Sequence, residues 1–273
     1  MKVESVDNRF KLSLIGAFGI ILIYYVLIAG IFNIPFAIIS ELNYFKSQEV
    51  LQAVVMFLGS LISYVITIKL ILRKIRKKNK NNFKISFIDK LNFKIILCTL
   101  LLIIGYYLWF QNSFGILIQR IPLPQFIESA FETLAVNEYS LIATVVIIAP
   151  IFEEIIMRGI ILEGFLNKYK PVTAIILSAL LFGFIHLNIP QFINTTIIGI
   201  ILALIYYKTR SLILCICAHA LNNTIALFSG YLTFKFNIFI IFLGMIIFIT
   251  AGSYLLKYFD EYLNEKGINV EEI

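Results

Sequence analysis

Apolar runs too long for a soluble core limit what this chain can fold into. Residues 20–32 read IILIYYVLIAGIF and residues 140–149 read SLIATVVIIA, with no charge in either. Runs of about 20 such residues recur along the chain, the length an α-helix needs to cross the hydrocarbon of a bilayer. The segments are continuously apolar rather than alternating, so helices are expected and a β-barrel is not. Charge is correspondingly scarce: 14% of the 273 residues are charged and 60% are hydrophobic, against about 25% charged in an ordinary soluble domain. The expected fold class is all-α: a polytopic integral membrane protein, a bundle of about eight transmembrane helices, with residues 1–273 as a single membrane-embedded domain.

Eight spans are expected, at about 12–38, 50–72, 93–110, 140–162, 171–190, 192–208, 211–229 and 236–257. The net charge of +7 is carried between them. The run RKIRKKNKNNFK, residues 73–84, reads as a cytoplasmic loop beside anionic lipid, not as a nucleic-acid patch. An even span count then puts both termini in the cytoplasm. That side gathers residues such as Lys94, Lys168, Lys170, Lys208, Arg210 and Lys257, and the other keeps only Lys46, Arg120 and Lys235. The first apolar stretch is longer than a signal-peptide core and lacks an Ala-x-Ala-like site, so it is expected to remain as a span. Residues 111–139 form the one long non-cytoplasmic loop, in which QFIESAFETLAVNEYS is expected to hold a short amphipathic helix on the membrane surface. Cys98, Cys215 and Cys217 fall in apolar segments and read as core or lipid-facing thiols, not as a disulfide framework.

Ionisable residues inside spans are rare and mark functional sites by default. Here they cluster in a region of about residues 140–230. The fourth span carries Glu153, Glu154 and Arg158 in PIFEEIIMRGIIL; the fifth carries His186; the seventh carries His219 with Asn222 and Asn223. The two histidines are the only ones in the chain. Glu154 and Arg158 stand at i and i+4 and can pair, which offsets an insertion cost of about 2.5–3.5 kcal/mol for each alone. Glu153 points about 100° away on a 3.6-residue helix, leaving it as the carboxylate available for chemistry. Counted from the turns near Lys170 and Arg210, Glu153, His186, His219 and Asn223 reach comparable depths, so three helices can present them to one point.

Glutamate with histidine in a shielded cavity suits activation of water. Histidine and asparagine can hold a developing oxyanion or protonate a leaving amine. Together these describe amide hydrolysis within the membrane. Other intramembrane designs lack their residues: Asp7, Asp89 and Asp260 all lie outside the spans, and neither H-E-x-x-H nor G-x-S-x-G occurs.

Three motifs, in order and in separate spans, carry a family resemblance: EEIIMR (Glu153, Glu154, Arg158), FGFIH (Phe182, His186) and HALNN (His219, Asn223). Over roughly residues 115–230 the chain resembles the CPBP intramembrane proteases, the CAAX prenyl protease and bacteriocin-processing (Abi) family. The resemblance implies a bundle of the eight-helix type opening toward the cytoplasm, with Glu153 activating water, His186 assisting, and His219 and Asn223 stabilising the oxyanion. It also implies structural or substrate-orienting roles for Glu154, Arg158 and Phe182. The family is described both as metal-dependent and as a metal-free glutamate protease. The cofactor is thus either none or a divalent metal such as zinc, held by His186, His219 and Glu153 or Glu154. The expected partners are membrane lipid and a membrane-associated or lipidated peptide or protein. The Ile-, Lys- and Asn-rich composition points to a bacterial plasma membrane, where a peptide pheromone, a bacteriocin leader or a membrane-protein tail replaces a prenylated protein. The alternatives are a non-catalytic bacteriocin-immunity or scaffold protein of the same fold, which would not need Glu153, His186 and His219, and a transporter, whose charges would spread along a path.

Overall fold

The computed structural model describes residues 10–78, 83, 85, 87, 93–135, 137–229 and 237–265. Both termini and residues 79–82 and 84 of the basic run lie outside the described residues, and residues 73–78, expected as loop, continue the helix Glu49–Lys78. Within them there is no β-strand, and the fold is carried by α1 (Leu14–Ser40), α2 (Glu49–Lys78), α3 (Phe93–Gln111), α4 (Glu138–Leu166), α5 (Pro171–Phe184), α6 (Ile189–Thr209), α7 (Leu212–Ser229) and α8 (Ile238–Glu265). The chain is a polytopic all-α membrane protein. Shorter helices, Phe114–Ile118 and Gln125–Ala135, occupy the connection before α4.

Among the described residues seven helices are long and apolar enough to cross a bilayer, and α5 is not one of them. The expected fifth span, 171–190, is instead a 14-residue helix, about 21 Å long against a hydrocarbon core of about 30 Å. It stops because the next helix begins at once. Asn188 is the N-cap of α6, its side chain accepting from the Gln191 N–H, and Pro190 follows in the first turn, where a missing N–H costs nothing. Leu187 bridges the two helices with φ 56°. His186 therefore sits in a turn rather than inside a span.

The helix α4 runs through the middle of the bundle. Every residue from Ile155 to Leu162 is buried, and α2, α5, α6 and α7 all pack against it. It widens into π-helical turns over Ala143–Ile148 and Ile155–Leu162, on either side of Ala149–Glu154. Such turns are uncommon and concentrate at functional sites. One end of α4 is tied down by charge and by chain. Arg210, a left-handed residue with φ 51° just after α6, reaches Glu163 at 2.6 Å. The segment before α1 lies across the same end, the Leu12 N–H donating to the Gly164 carbonyl at 2.9 Å.

Without a hydrophobic drive between helices in lipid, close approach depends on small residues. The pair α3 and α8 uses two. A Cβ added to Gly105 would lie 2.5 Å from the Phe248 backbone nitrogen, and one added to Gly244 would lie 2.5 Å from that of Trp109. Gly105→Leu should therefore force the two helices apart and lower the thermal unfolding midpoint in detergent, by the equivalent of about 1–3 kcal/mol. Gly19→Ala, where an added Cβ meets nothing within 4 Å, is the control and should leave the midpoint unchanged or raised. Equal midpoints for Gly105→Leu and wild type would contradict this packing.

Candidate active site

Glu154 and Arg158 are 0% and 1% exposed, where an unpartnered charge is costly. One turn of α4 brings them together: an Arg158 guanidinium nitrogen donates to Glu154 Oε1 at 2.9 Å. The other terminal nitrogen of Arg158 donates to the Gly199 carbonyl of α6 at 3.1 Å. The guanidinium also lies 4.7 Å from the centre of the Phe182 ring, a cation–π contact from α5.

The third group on Glu154 was not visible in the sequence. His219 Nδ1, from α7, lies 2.8 Å from the same Glu154 Oε1. A carboxylate only accepts, so Nδ1 carries the hydrogen, and in the neutral ring the lone pair belongs to Nε2. Nε2 in turn faces Glu153 Oε2 at 3.9 Å, too far for a hydrogen bond and close enough for one water to touch both. Glu154 thus pairs with Arg158 and also orients the imidazole opposite Glu153. Its other oxygen, Oε2, is buried and has no hydrogen-bond partner.

His186 is fixed in the same way. Its Nδ1 lies 2.9 Å from the Phe182 carbonyl, so Nδ1 donates and Nε2 holds the lone pair. Thr195 Oγ1 approaches the same nitrogen at 3.5 Å, and Asn188 donates to the His186 carbonyl at 2.9 Å. The fully buried Phe182 ring meets both imidazoles edge-on, at 5.3 Å to His186 and 5.5 Å to His219. Phe182 is therefore the common wall of the site.

Asn223 is also on α7, one turn past His219. Its amide donates to the Val145 carbonyl at 2.9 Å, within the first π-helical stretch of α4, and its oxygen accepts from Asn222 at 3.2 Å. One amide hydrogen is thereby used and a second remains. Asn223 joins α7 to α4 beside the site.

Among the described residues, no three His, Cys, Asp or Glu side chains gather as metal ligands. His186 and His219 have Nδ1 occupied by Phe182 and Glu154 respectively. Each ring keeps its Nε2 lone pair, and a carboxylate or carbonyl on Nδ1 is also the usual backing of a metal-bound imidazole. Cys215 and Cys217 stand apart from these donors: Cys215 is buried with its sulfur toward the Leu202 carbonyl, and Cys217 is exposed.

Residues 135–225 match the family described as Type II CAAX prenyl endopeptidase Rce1-like, a stretch that contains all seven residues of the three motifs. The chain is 33% identical over 78 residues to "Putative membrane peptidase YdiL" of Bacillus subtilis (strain 168), a match covering 29% of this chain and 32% of that protein. The matched part thus spans about a third of that relative's length. No solved structure matches. This multi-pass membrane protein thus matches, over residues 135–225, the Rce1-like family of CAAX prenyl endopeptidases.

Glu154→Ala and Arg158→Ala should each strand one buried charge and destabilise the protein by about 3–5 kcal/mol. The loss is read as a fall in thermal midpoint in detergent. Glu154→Leu combined with Arg158→Met should cost less than the sum of the single changes, because no charge is then left alone. Midpoints of the single variants equal to wild type would remove the structural role of the pair.

Proposed function

We propose that the chain is an intramembrane endopeptidase that hydrolyses a peptide bond in a membrane-associated or lipidated peptide or protein. The observation that carries this reading is the 3.9 Å gap between Glu153 Oε2 and His219 Nε2, with the imidazole oriented from behind by the buried Glu154. A water in that gap gives one proton to Glu153 while its oxygen bonds to the scissile carbonyl carbon. The carbonyl oxygen becomes the oxyanion, for which the second amide hydrogen of Asn223 is the candidate donor, while the Nε2 lone pair of His219 accepts from the attacking water. Collapse of the tetrahedral species breaks the C–N bond, and the proton held by Glu153 passes to the leaving amine. His186, with Nδ1 anchored, offers Nε2 to the same cleft. Phe182 excludes water from the far side and holds the two rings edge-on. No step passes through a metal.

We place both termini and the 73–84 run in the cytoplasm from the bias of Lys and Arg between spans, with the short α5 counted as a pass, and the family resemblance favours a site that opens to that side. The substrate we favour is a bacterial peptide pheromone, a bacteriocin leader or a membrane-protein tail. The peptidase named among the relatives supports the class of reaction, not the choice among these.

Glu153→Gln keeps the shape and removes the proton acceptor, so cleavage of a membrane-peptide library by the purified protein should fall to background while the thermal midpoint stays within about 0.5 kcal/mol of wild type. Near wild-type cleavage by this variant would show that Glu153 is not the base. Treatment with a chelator should leave cleavage unchanged. A loss restored specifically by added zinc would overturn the metal-free mechanism.

A further inference from the structure

A second polar feature lies in the bilayer-spanning region, outside the family domain. A cavity of about 220 Å³ opens between α1 and α2, lined by Asn33 of α1 and by Ser60, Ser63 and Tyr64 of α2, with Ala29 and Gly30 leaving the space. The Asn33 carboxamide oxygen is buried and has no hydrogen-bond partner. The Ser63 hydroxyl donates to the Gly59 carbonyl at 2.7 Å, which leaves its lone pairs able to accept. A buried oxygen such as that of Asn33, left without a partner, is expensive in hydrocarbon.

The placement of these groups follows the period of the helix. Ser60, Ser63, Tyr64 and Thr67 stand at i, i+3, i+4 and i+7, a single inward stripe. Thr67 is fully buried. The opposite face presents Val54, Leu58, Ile62 and Val65, all exposed, as suits a surface solvated by lipid. The stripe reaches the active-site helix directly: the Tyr64 ring stacks on Phe152 at 4.8 Å and 20°, and Phe152 precedes Glu153.

We infer that this cavity holds water inside the bilayer and supplies it to Glu153, an inference that rests on the hydrolytic reading above. A buried water needs two to four polar partners and roughly 30 Å³, so a 220 Å³ pocket with four polar lining residues accommodates several. An apolar cavity of similar size would stay dry. Hydrolysis consumes one water per bond cut, and this cavity sets a store of it against α4 through Tyr64 and Phe152, besides any that enters from the cytoplasm.

The test uses thiol chemistry, because only a hydrated thiolate reacts quickly. Ser60→Cys and Leu58→Cys place a thiol at nearly the same depth, on the cavity side and the lipid side of α2. With the full chain in lipid vesicles, a water-soluble methanethiosulfonate should modify Ser60→Cys at least about tenfold faster, the factor that one unit of thiol pKa controls. Peptide mapping by mass separates these thiols from Cys98, Cys215 and Cys217. Equal labelling rates would overturn the wet cavity. For the supply role, Asn33→Leu with Ser60→Val should lower kcat roughly tenfold, with KM and thermal midpoint unchanged; an unchanged kcat would overturn it. If the wild-type chain cleaves nothing while Ser60→Cys labels fast, the hydrolytic reading and the supply role fall and the wet cavity stands.

Discussion

A carboxylate and a guanidinium enclosed in a membrane bundle are tolerable only together, and the architecture around the site follows from that. Glu154 and Arg158 neutralise each other within one turn of α4. The remaining hydrogen-bonding capacity of the pair then recruits other helices. Arg158 reaches the Gly199 carbonyl of α6 and lies over the Phe182 ring of α5, and Glu154 takes the imidazole of α7. Because each unmet polar group in lipid is costly, these contacts fix the relative placement of four helices more tightly than apolar packing would.

The same pair has a chemical consequence. Holding His219 by Nδ1 decides which nitrogen faces Glu153, and the Phe182 carbonyl makes the corresponding choice for His186. In a neutral imidazole the two nitrogens differ in kind, one donor and one acceptor, so the two backing contacts leave Nε2 as the acceptor of each ring. The shortness of α5 contributes as well. By ending at Phe184 and turning at once into α6, it frees the His186 ring from the helix and presents it at a turn anchored by Asn188.

Much of this was legible in the sequence. The all-α membrane class followed from apolar run length, and the pairing geometry of Glu154 and Arg158 from an i, i+4 spacing. The motif residues identified the family domain that the comparisons find over residues 135–225. Other parts were not legible. Eight spans were expected where, among the described residues, seven full-length helices and one short one stand, because LFGFIHLNIP is apolar apart from His186 and Asn188 and hydropathy does not see a helix end. The Asn188 N-cap and Pro190 were the available signal for that break. The widening of α4 around Ala149–Glu154 has no recognised sequence signature. Asn223 stood at the right helical spacing from His219, yet its donor meets the Val145 carbonyl, a partner 78 residues away.

By itself the sequence determined where the chain meets lipid and which polar side chains cannot be there by accident, since insertion into hydrocarbon is a property of local composition. Only the tertiary structure decided which of those side chains touch. It alone brings the His219 ring to Glu154 across 65 residues, puts Phe182 against both imidazoles and opens a polar cavity between α1 and α2. Contacts between helices depend on their rotation and depth in the bundle, which are set by how all the helices pack together and not by the composition of any one of them.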